Sequence, residues 1–433
     1  MNKNGNIGLG SCVVAKFGGS SLADGNKISR AVKAVTKKLQ KGTSVVVVVS
    51  AMGKTTDFLL DVAKQATNCN AKLNSDIDDV LAMGERTSAR IFSATLKANG
   101  VKCRYFDPAD PDWPIITSDE PANADPILPE CEKRVIKHVT PLLERGTVVV
   151  IPGFIGKTVD GKITTMGRGG SDITALIVAR ALGAKQVILA TDVDGIMTAD
   201  PKLVKSAKRI SEIDVNSLIG LASAGQKFLQ RKALRYKDSN INVKVINSAY
   251  CDLDVEGTII KGSLKSEIVD LEYPEPIASI TIVGKALSQS PQVLHQIVKK
   301  VKEADVPLLG MSANYDSLIL YLSEKMLNKI LEQIHSVVME NPEALAMAAR
   351  TNLALLKVKT MELEETPGIV SRIAQALHLK NINIYGIFTI TSGIQVFVDM
   401  NYVKEALTVV KNALKDLQDE SLEAKLVMKR QND

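Results

Sequence analysis

Apolar positions follow two alternating patterns between Cys12 and about Ser263. Short and mostly β-branched runs are Val45–Val49, Thr147–Ile151 and Gln186–Ala190. Longer stretches with apolar residues at every third or fourth position are Asn26–Gln40 and Asp172–Leu182. Unbroken apolar runs are typical of strands covered by helices on both faces, and the longer stretches predict those helices. The alternation predicts an α/β fold in which a mainly parallel sheet is sandwiched between helices.

The pattern changes at Leu271–Pro276, where two prolines and two glutamates cannot continue a strand or a helix. Beyond this point the order strand, helix, strand, strand, helix occurs twice, which predicts two ferredoxin-like units. The segments are Ile280–Val283, Gln292–Glu303, Ser317–Ser323, Lys325–Met339, Leu353–Lys359, Gly368–Leu379, Gln395–Asp399 and Tyr402–Leu417. The predicted domains are therefore residues 1–270, 277–345 and 353–425.

Composition narrows the function without defining it. The 433 residues are 45% hydrophobic and 24% charged, so the chain can fill two or three cores. Aromatic residues are 4% of the chain and the net charge of +6 is not gathered into a basic block, which argues against nucleic-acid and membrane-surface binding. An anionic small molecule is a better match to this weak positive charge.

Cysteine usage and the chain's N-terminal segment indicate a reducing compartment. The five cysteines form no C-x-x-C pair and there are four histidines, so neither a disulfide framework nor a zinc site is predicted. The first eleven residues are too polar for a signal peptide, and no apolar run approaches the ~20 residues needed to cross a bilayer. We therefore expect a cytoplasmic protein.

The strongest local motif is Lys16–Ser21 (KFGGSS), between the short strand Val13–Ala15 and the helix that starts at Asn26. Glycines allow backbone N–H groups to approach a polyphosphate, and a lysine neutralises its charge. The alternative is a glycine-rich turn with a solvated lysine. Other phosphate loops match less well, because Val48 occupies the first glycine position of a Walker motif ending at Gly53–Thr55.

Two further clusters lie at predicted helix and strand ends. Met166–Asp172 (MGRGGSD) opens a helix, and an arginine with an aspartate at a helix start can clamp a carboxylate and orient groups around a phosphate. The alternative is that Asp172 only caps the helix. Thr191–Ile196 (TDVDGI) follows a strand, where parallel sheets bind ligands, although a plain Asp-Gly turn would explain it too. Gly84–Arg86 (GER) alone would fit a solvated helix.

Together these segments closely resemble the amino-acid kinase family and, within it, the aspartate kinases. The resemblance runs from Val13 to about Asn247. Its motifs, in family order, are KFGGSS (Lys16–Ser21), VVSAMGKTTD (Val48–Asp57), GER (Gly84–Arg86), GFIG (Gly153–Gly156), GRGGSD (Gly167–Asp172) and TDVDGI (Thr191–Ile196).

The C-terminal units resemble ACT modules, in which a small amino acid binds at the interface between paired modules. The second unit has Thr366–Gly368 (TPG) before its first helix, whereas the first has Ser290–Gln292 (SPQ), without the glycine. Leu309 lies about where lysine-sensitive members carry an aspartate. The resemblance thus implies a homodimer or higher homo-oligomer with an amino-acid effector at these units.

The resemblance also implies a reaction, in which ATP with Mg²⁺ phosphorylates the β-carboxylate of aspartate. The implied transfer residues are Lys16, Asp172 and Lys227. The implied aspartate-binding residues are Thr56, Glu85, Phe154 and Arg168. The implied nucleotide site comprises Gly18, Gly19, Ser20, Thr191, Asp192, Met197, Lys202 and Lys227. No residue is assigned as a metal ligand.

Physical chemistry agrees with these implied roles. A carboxylate is already nucleophilic at neutral pH, so no general base is required. Arg168 could bind the α-carboxylate of aspartate through two parallel hydrogen bonds, and Glu85 could bind its α-ammonium. Asp172 would organise the lysines rather than accept a proton.

Three features depart from the family pattern. Met197 replaces an aromatic residue under the adenine, and Lys202 replaces an arginine near the phosphates. Around Lys227 the usual sequence GAKVLHP becomes GQKFLQR, residues 225–231. Two other functions stay open, namely a kinase of the same fold acting on another acid or a nucleoside monophosphate, and a catalytically silent amino-acid sensor.

Overall fold

The computed structural model describes residues 12–66, 75–223, 230–264, 269–359, 368–390 and 393–414. The chain divides into two compact units, Met1–Lys265 and Ser266–Asp433. The composition change at Leu271–Pro276 falls within the second unit, a few residues after this division. Throughout the described ranges, no helix has both the length and the apolar composition required to span a bilayer.

The first unit is a layered α/β structure. Its strands are β1 (Cys12–Phe17), β2 (Ser44–Val49), β3 (Cys103–Tyr105), β4 (Val148–Pro152), β5 (Ile155–Lys157), β6 (Ile163–Thr165), β7 (Gln186–Thr191), β8 (Glu212–Asp214), β9 (Asn242–Asn247) and β10 (Thr258–Lys261). Its helices are α1 (Gly25–Gln40), α2 (Thr55–Ala66), α3 (Ser75–Ala98), α4 (Leu128–His138), α5 (Thr140–Glu144), α6 (Gly170–Ala181), α7 (Val215–Ser223) and α8 (Arg231–Leu234).

The central sheet has the strand order β3-β4-β2-β1-β7-β9-β10-β8. Neighbouring strands from β3 to β9 are parallel, and β10 is antiparallel to β9. Strands β5 and β6 form a separate antiparallel hairpin. The prediction of a mainly parallel sheet sandwiched by helices is confirmed.

The valine run of β2 shows why the sheet is covered on both faces. Side chains of a strand alternate between its faces. Val46 and Val48 belong to one buried core, which includes α6, while Val45, Val47 and Val49 belong to another, which includes α1. Because both sets are fully buried, the strand has no polar face, and the unbroken apolar run follows.

The second unit is an antiparallel sheet with helices. Its strands are β11 (Val269–Leu271), β12 (Ile277–Gly284), β13 (Leu308–Ala313), β14 (Ser317–Ser323), β15 (Ala344–Lys359), β16 (Gly386–Ile390) and β17 (Gly393–Asp399). Its helices are α9 (Pro291–Glu303), α10 (Leu327–Glu340), α11 (Ile369–His378) and α12 (403–414). The strand order is β13-β14-β12-β15-β17-β16, with β11 also paired to β15.

Strand β15 is shared by the two halves of this sheet. Its first part pairs with β12, and its second part, from Leu353, pairs with β17. Strand β11 also pairs with the second part of β15, although in the chain β11 comes before all the strands of the other half of the sheet. The expected strand Leu353–Lys359 therefore starts earlier, at Ala344, because pairing with β12 extends an alanine-rich segment of weak intrinsic strand preference.

Candidate active site

The candidate site is built by loops that follow four neighbouring parallel strands, β4, β2, β1 and β7. Backbone hydrogen bonds join these loops. Gly153 N–H donates to Val49 O (2.8 Å), and Gly18 N–H donates to Ala190 O (3.2 Å). The carboxyl edge of a parallel sheet is where open α/β proteins bind ligands. The motifs that the sequence placed after strands therefore lie along one edge.

Lys16 and Asp172 form an ion pair at this edge. Lys16 Nζ lies 2.7 Å from Asp172 Oδ1, and the two side chains are 13% and 10% exposed. Asp172 lies in the first turn of α6, and the N-cap residue of that helix is Gly169. The lysine is thus not a solvated side chain, and the aspartate does more than cap a helix. The pair places a cation beside a helix N-terminus, where an anion would be stabilised.

The two glycines of the KFGGSS motif, Gly18 and Gly19, are required for different structural reasons. A Cβ on Gly19 would lie 2.8 Å from Ala51 O and 2.9 Å from Gly53 O, so close packing of two loops requires glycine there. A Cβ on Gly18 would meet Lys16 Nζ at 3.8 Å. Glycine at position 18 therefore leaves the space next to the lysine ammonium open.

Glu85 lies on α3 and is 4% exposed, which excludes the solvated-helix interpretation of the GER motif. Its Oε1 accepts a hydrogen bond from Ala51 N–H (2.9 Å), whereas Oε2 has no hydrogen-bond partner among the described residues. Burial raises the pKa of Glu85 to about 7, although the Ala51 N–H and the charge of Lys16 oppose that rise. A buried carboxylate with one free oxygen can accept a cationic ligand. The half-buried Thr56 is close by, since its Oγ1 lies 3.7 Å from a Cβ placed on Gly84.

Arg168 is exposed at this edge. It lies between Gly167 and Gly169, which have positive φ angles of 70° and 81° that favour glycine. Its side chain has no hydrogen bond or ion pair with any residue in the described part of the chain. Phe154 has φ 69° and packs against the start of α6, where a Cβ on Gly170 would lie 2.9 Å from Phe154 Cα. In the described part of the chain, no residue therefore competes with a ligand for the guanidinium.

The implied nucleotide-binding residues follow β7. Thr191 is the last residue of that strand, and its Oγ1 accepts a hydrogen bond from Val193 N–H (3.2 Å). Asp192 and Lys202 are exposed and Met197 is half-buried. Ser20, after β1, is exposed as well. Lys227, assigned to both transfer and nucleotide binding, lies outside the described residues.

Serine side chains join these loops, a role that the sequence analysis did not predict. Ser50 Oγ donates to Ser171 Oγ (3.0 Å), which links the end of β2 to the start of α6. Ser21 Oγ donates to Ala190 O (3.1 Å) and accepts from Ser248 Oγ (2.8 Å). Ser50 and Ser248 each follow a strand directly, so the rule that sites form at strand ends would have found them.

A second feature of interest lies in the C-terminal unit. A cavity of about 460 Å³ is lined by uncharged residues of β13, β14, β16 and β17. Within it, the ring of Tyr321 stacks on Phe397 with centroids 4.0 Å apart. No sequence pattern indicated this cavity. Of the turn Thr366–Gly368, the structure describes Gly368, which has φ 90° and is the N-cap of α11.

Side chains that commonly bind metal ions are spread out over the described part of the chain. Among them, no three histidine, cysteine, aspartate or glutamate side chains are grouped closely enough to hold a metal ion. Magnesium in phosphoryl-transfer sites is commonly bound through one or two carboxylates, water and the substrate phosphates.

Sequence comparison shows relatives over most of the chain. The amino acid kinase family matches residues 11–247. The aspartokinase of Mycobacterium tuberculosis is 37% identical over 311 residues, 68% of this chain and 68% of the relative. The aspartokinase of Bacillus sp. strain MGA3 is 30% identical over 413 residues, 93% of this chain and 96% of the relative.

Solved structures have the same fold. The aspartate kinase from Synechocystis is 26% identical, with a TM-score of 0.75 over 93% of this chain and 69% of that one. Aspartokinase III of E. coli, in its complex with aspartate and ADP, is 23% identical with a TM-score of 0.51. The coverage of these matches extends from the central parallel sheet into the C-terminal unit.

Proposed function

The chain belongs to the amino acid kinase family and, within it, to the aspartokinases, and we propose that it transfers the γ-phosphoryl group of ATP to the β-carboxylate of L-aspartate. The product would be 4-phospho-L-aspartate. This reaction would commit aspartate, in the cytoplasm, to synthesis of lysine, threonine, methionine or diaminopimelate.

The observation that carries the proposal is the grouping of Lys16, Asp172 and Glu85 at one sheet edge. The first two form the 2.7 Å ion pair, and the third accepts a hydrogen bond from Ala51 N–H, in the loop that packs against Gly19. Lys16 thus offers a cation for the transferred phosphoryl group, and Glu85 nearby offers an anion for the ammonium group of an acceptor. A kinase whose acceptor is an amino acid needs both.

Lys16 would act on the transferred phosphoryl group. Phosphoryl transfer needs positioning and neutralisation of charge on the equatorial oxygens more than covalent help. Asp172 would hold the ammonium of Lys16 in place. Lys227 would add a second positive charge, and Gly18, Gly19 and Ser20 would border the phosphates.

The acceptor would be held at both ends of its backbone. We assign the α-ammonium of aspartate to Glu85 and the α-carboxylate to Arg168, whose guanidinium can make two parallel hydrogen bonds. Thr56 and Phe154 would line the same pocket. The β-carboxylate is then left to attack the γ-phosphorus without a general base, since it is ionised at neutral pH.

The nucleotide would lie beyond the end of β7, along Thr191, Asp192, Met197 and Lys202. Mg²⁺ bound to the phosphates would neutralise part of their charge. The exposed carboxylate of Asp192 is the described acidic group in this set that could approach such an ion or its water ligands.

An assay of ADP release with a panel of acceptors tests the proposal. The panel contains aspartate, glutamate, other amino acids and nucleoside monophosphates. We expect aspartate to give the highest kcat/KM. Preference for another acceptor would favour a different kinase of this fold, and binding of amino acids without ADP release would favour a silent sensor.

We also propose regulation through the C-terminal unit of a homodimer or higher homo-oligomer. An amino-acid effector at the turn Thr366–Gly368 would use the N–H groups at the start of α11, and it must bind two states of the enzyme with different affinity. Calorimetry and kinetics with lysine, threonine, methionine and diaminopimelate test this. Gly368→Val should abolish the response, because the φ of 90° disfavours a β-branched residue. If none of the four compounds binds or alters the rate, the unit serves assembly alone.

A further inference from the structure

A buried carboxylate outside the site described above is bonded to the loop that carries Arg168. Asp78 lies on α3 and is 1% exposed. Its two oxygens accept hydrogen bonds from Ala122 N–H (3.0 and 3.1 Å), Thr165 N–H (3.2 Å) and the Thr165 hydroxyl (2.7 Å). Burying a carboxylate is costly unless such donors surround it. An apolar residue at position 78 would avoid this cost but could not accept these hydrogen bonds.

The bonds of Asp78 reach both sides of the Arg168 loop. Thr165 is the last residue of β6, three positions before Arg168. Ala122 belongs to a short connecting segment, residues 122–125, that packs on the loop. A Cβ on Gly167 would lie 2.9 Å from Ala122 O, and Ala124 N–H donates to Thr165 O (3.0 Å). Asp78 therefore holds the loop directly and also through this segment.

A second side chain holds the same segment from another element. Lys232, on α8, donates to Asn123 Oδ1 (2.8 Å) and to Met166 O (3.2 Å), and it pairs with Asp125 (3.2 Å). The loop backbone is thus fixed from α3 and from α8. Arg168, by contrast, has no side-chain partner among the described residues. Within the described ranges, the contacts that place Arg168 are therefore those of its backbone loop.

Helix α3 connects the two ends of the proposed acceptor pocket. Asp78 and Glu85 are seven residues apart, which is about two helical turns, so both lie on one face of α3. Glu85 bonds to Ala51 N–H beyond β2, and Asp78 bonds to the end of β6. One rigid helix therefore relates the proposed ammonium site to the loop of the proposed carboxylate site.

We propose that Asp78 is a positioning residue that fixes Arg168 relative to Glu85 and thereby matches the pocket to the backbone of its amino-acid acceptor. This role rests on the proposed function. Asp78 contacts neither substrate, and it acts through Thr165 and residues 122–125. Its loss should weaken acceptor binding more than nucleotide binding, because the bonds of Asp78 do not reach the loop after β7.

The test compares Asp78→Asn with Asp79→Asn. Asp79 is the next residue on α3, its side chain is exposed, and its ion pair with Arg86 is long, at 3.7 Å. We expect Asp78→Asn to raise the KM for aspartate about tenfold, while the KM for ATP changes less than about threefold. Asp79→Asn should leave both constants within about twofold. Thr165→Val, which removes the hydroxyl that bonds Asp78, should act like Asp78→Asn but more weakly, and Thr165→Ser should restore the parent values.

A double-variant cycle separates positioning from general damage to the fold. If Asp78 acts by placing Arg168, then Asp78→Asn adds little to the aspartate KM of an Arg168→Lys enzyme. Equal multiplicative effects in both backgrounds, or an unchanged aspartate KM in Asp78→Asn and in Thr165→Val, would overturn the role. A parent enzyme without aspartate-dependent ADP release would instead overturn the proposed function itself, and the positioning role with it.

Discussion

The two compact units place their polar groups in opposite ways. In the first, charged side chains are withdrawn from water at the edge of the sheet, as shown by Lys16 and Asp172, which are 13% and 10% exposed. In the second, the described residues that line the cavity of about 460 Å³ carry no charge, and two of them, Tyr321 and Phe397, stack their rings. Buried charge is costly to maintain and is characteristic of chemistry, whereas a cavity lined by uncharged residues is suited to packing or to binding. The contrast suggests that catalysis depends on the first unit alone.

The largest effect should follow from loss of the Lys16 ammonium. We expect Lys16→Ala to lower kcat by at least about a hundredfold, or about 2.7 kcal/mol of barrier, because charge on the transferred group loses its counterion. Circular dichroism should show an intact fold. Lys33→Ala, an exposed lysine of α1, is the control and should behave as the parent. Activity of Lys16→Ala within about tenfold of the parent would remove Lys16 from the mechanism.

Arg168→Lys should have the next largest effect. An ammonium cannot reproduce the planar pair of hydrogen bonds that a guanidinium makes, so we expect the KM for aspartate to rise at least about tenfold. The KM for ATP should change less. Arg180→Lys, on α6 and paired with Glu132, provides a matched control. A raised KM for ATP with an unchanged KM for aspartate would move Arg168 to the nucleotide site.

Glu85→Gln should change how both thermal stability and activity depend on pH, and in opposite directions. Burial raises the pKa of Glu85 from 4.5 to about 7, so the folded protein binds this proton more tightly than the unfolded chain. Stability of the parent must therefore fall as pH rises from about 4.5 to about 7, by up to about 3 kcal/mol. The variant should have a higher Tm than the parent near pH 8, and a similar Tm near pH 4.5.

Near pH 8, Glu85→Gln should be less active than the parent although it is more stable. In the parent, kcat/KM for aspartate should rise between pH 6 and 8 as Glu85 ionises and can bind an ammonium. In Glu85→Gln this rise should be absent, and kcat/KM near pH 8 should be lower. Glu130→Gln, which changes a half-buried glutamate on α4, should alter neither profile. A parent profile that is flat over this range would contradict the assignment of Glu85.

The smallest effect on catalysis should come from the aromatic core of the second unit. Phe397 is 2% exposed and stacks on Tyr321, so Phe397→Ala should lower the free energy of unfolding by about 3–5 kcal/mol. Without effector, kcat and the KM for aspartate should stay within about twofold of the parent. Met339→Ala, 74% exposed on α10, is the control. A large loss of kcat in Phe397→Ala at a temperature where it is folded would show that the units are not independent in function.

Much of the fold followed from local pattern. The valine run of β2 and the helical spacing of α1 and α6 each depend on residues close in the chain, and the structure confirms them within two residues at each end. Strand β15 could not be predicted in full, because its alanine-rich first part is a strand only through pairing with β12. Strand β11 could not be predicted either. Its three residues are too few to show a periodic pattern, and it is a strand through its pairing with β15.

Local pattern could place residues at the carboxyl ends of strands, such as Lys16 and Thr191 within β1 and β7 and Asp192 directly after β7. Glu85 was visible through family resemblance alone, because its burial depends on how α3 packs on distant segments. Asp78 had no local signal at all. Its partners are Ala122 and Thr165, which are far away in sequence, and a single aspartate on a helix with other acidic residues gives no indication of burial.

The central claim is that the β-carboxylate of aspartate receives the phosphoryl group, and trapping the product with hydroxylamine tests it most directly. Hydroxylamine attacks an acyl phosphate, releases inorganic phosphate and leaves a hydroxamate, which mass spectrometry can locate. We predict aspartate β-hydroxamate in amounts equal to the ADP formed, only when ATP and aspartate are both present, and none with Lys16→Ala. ADP release without hydroxamate, or hydroxamate at the α-carboxyl group, would contradict the account.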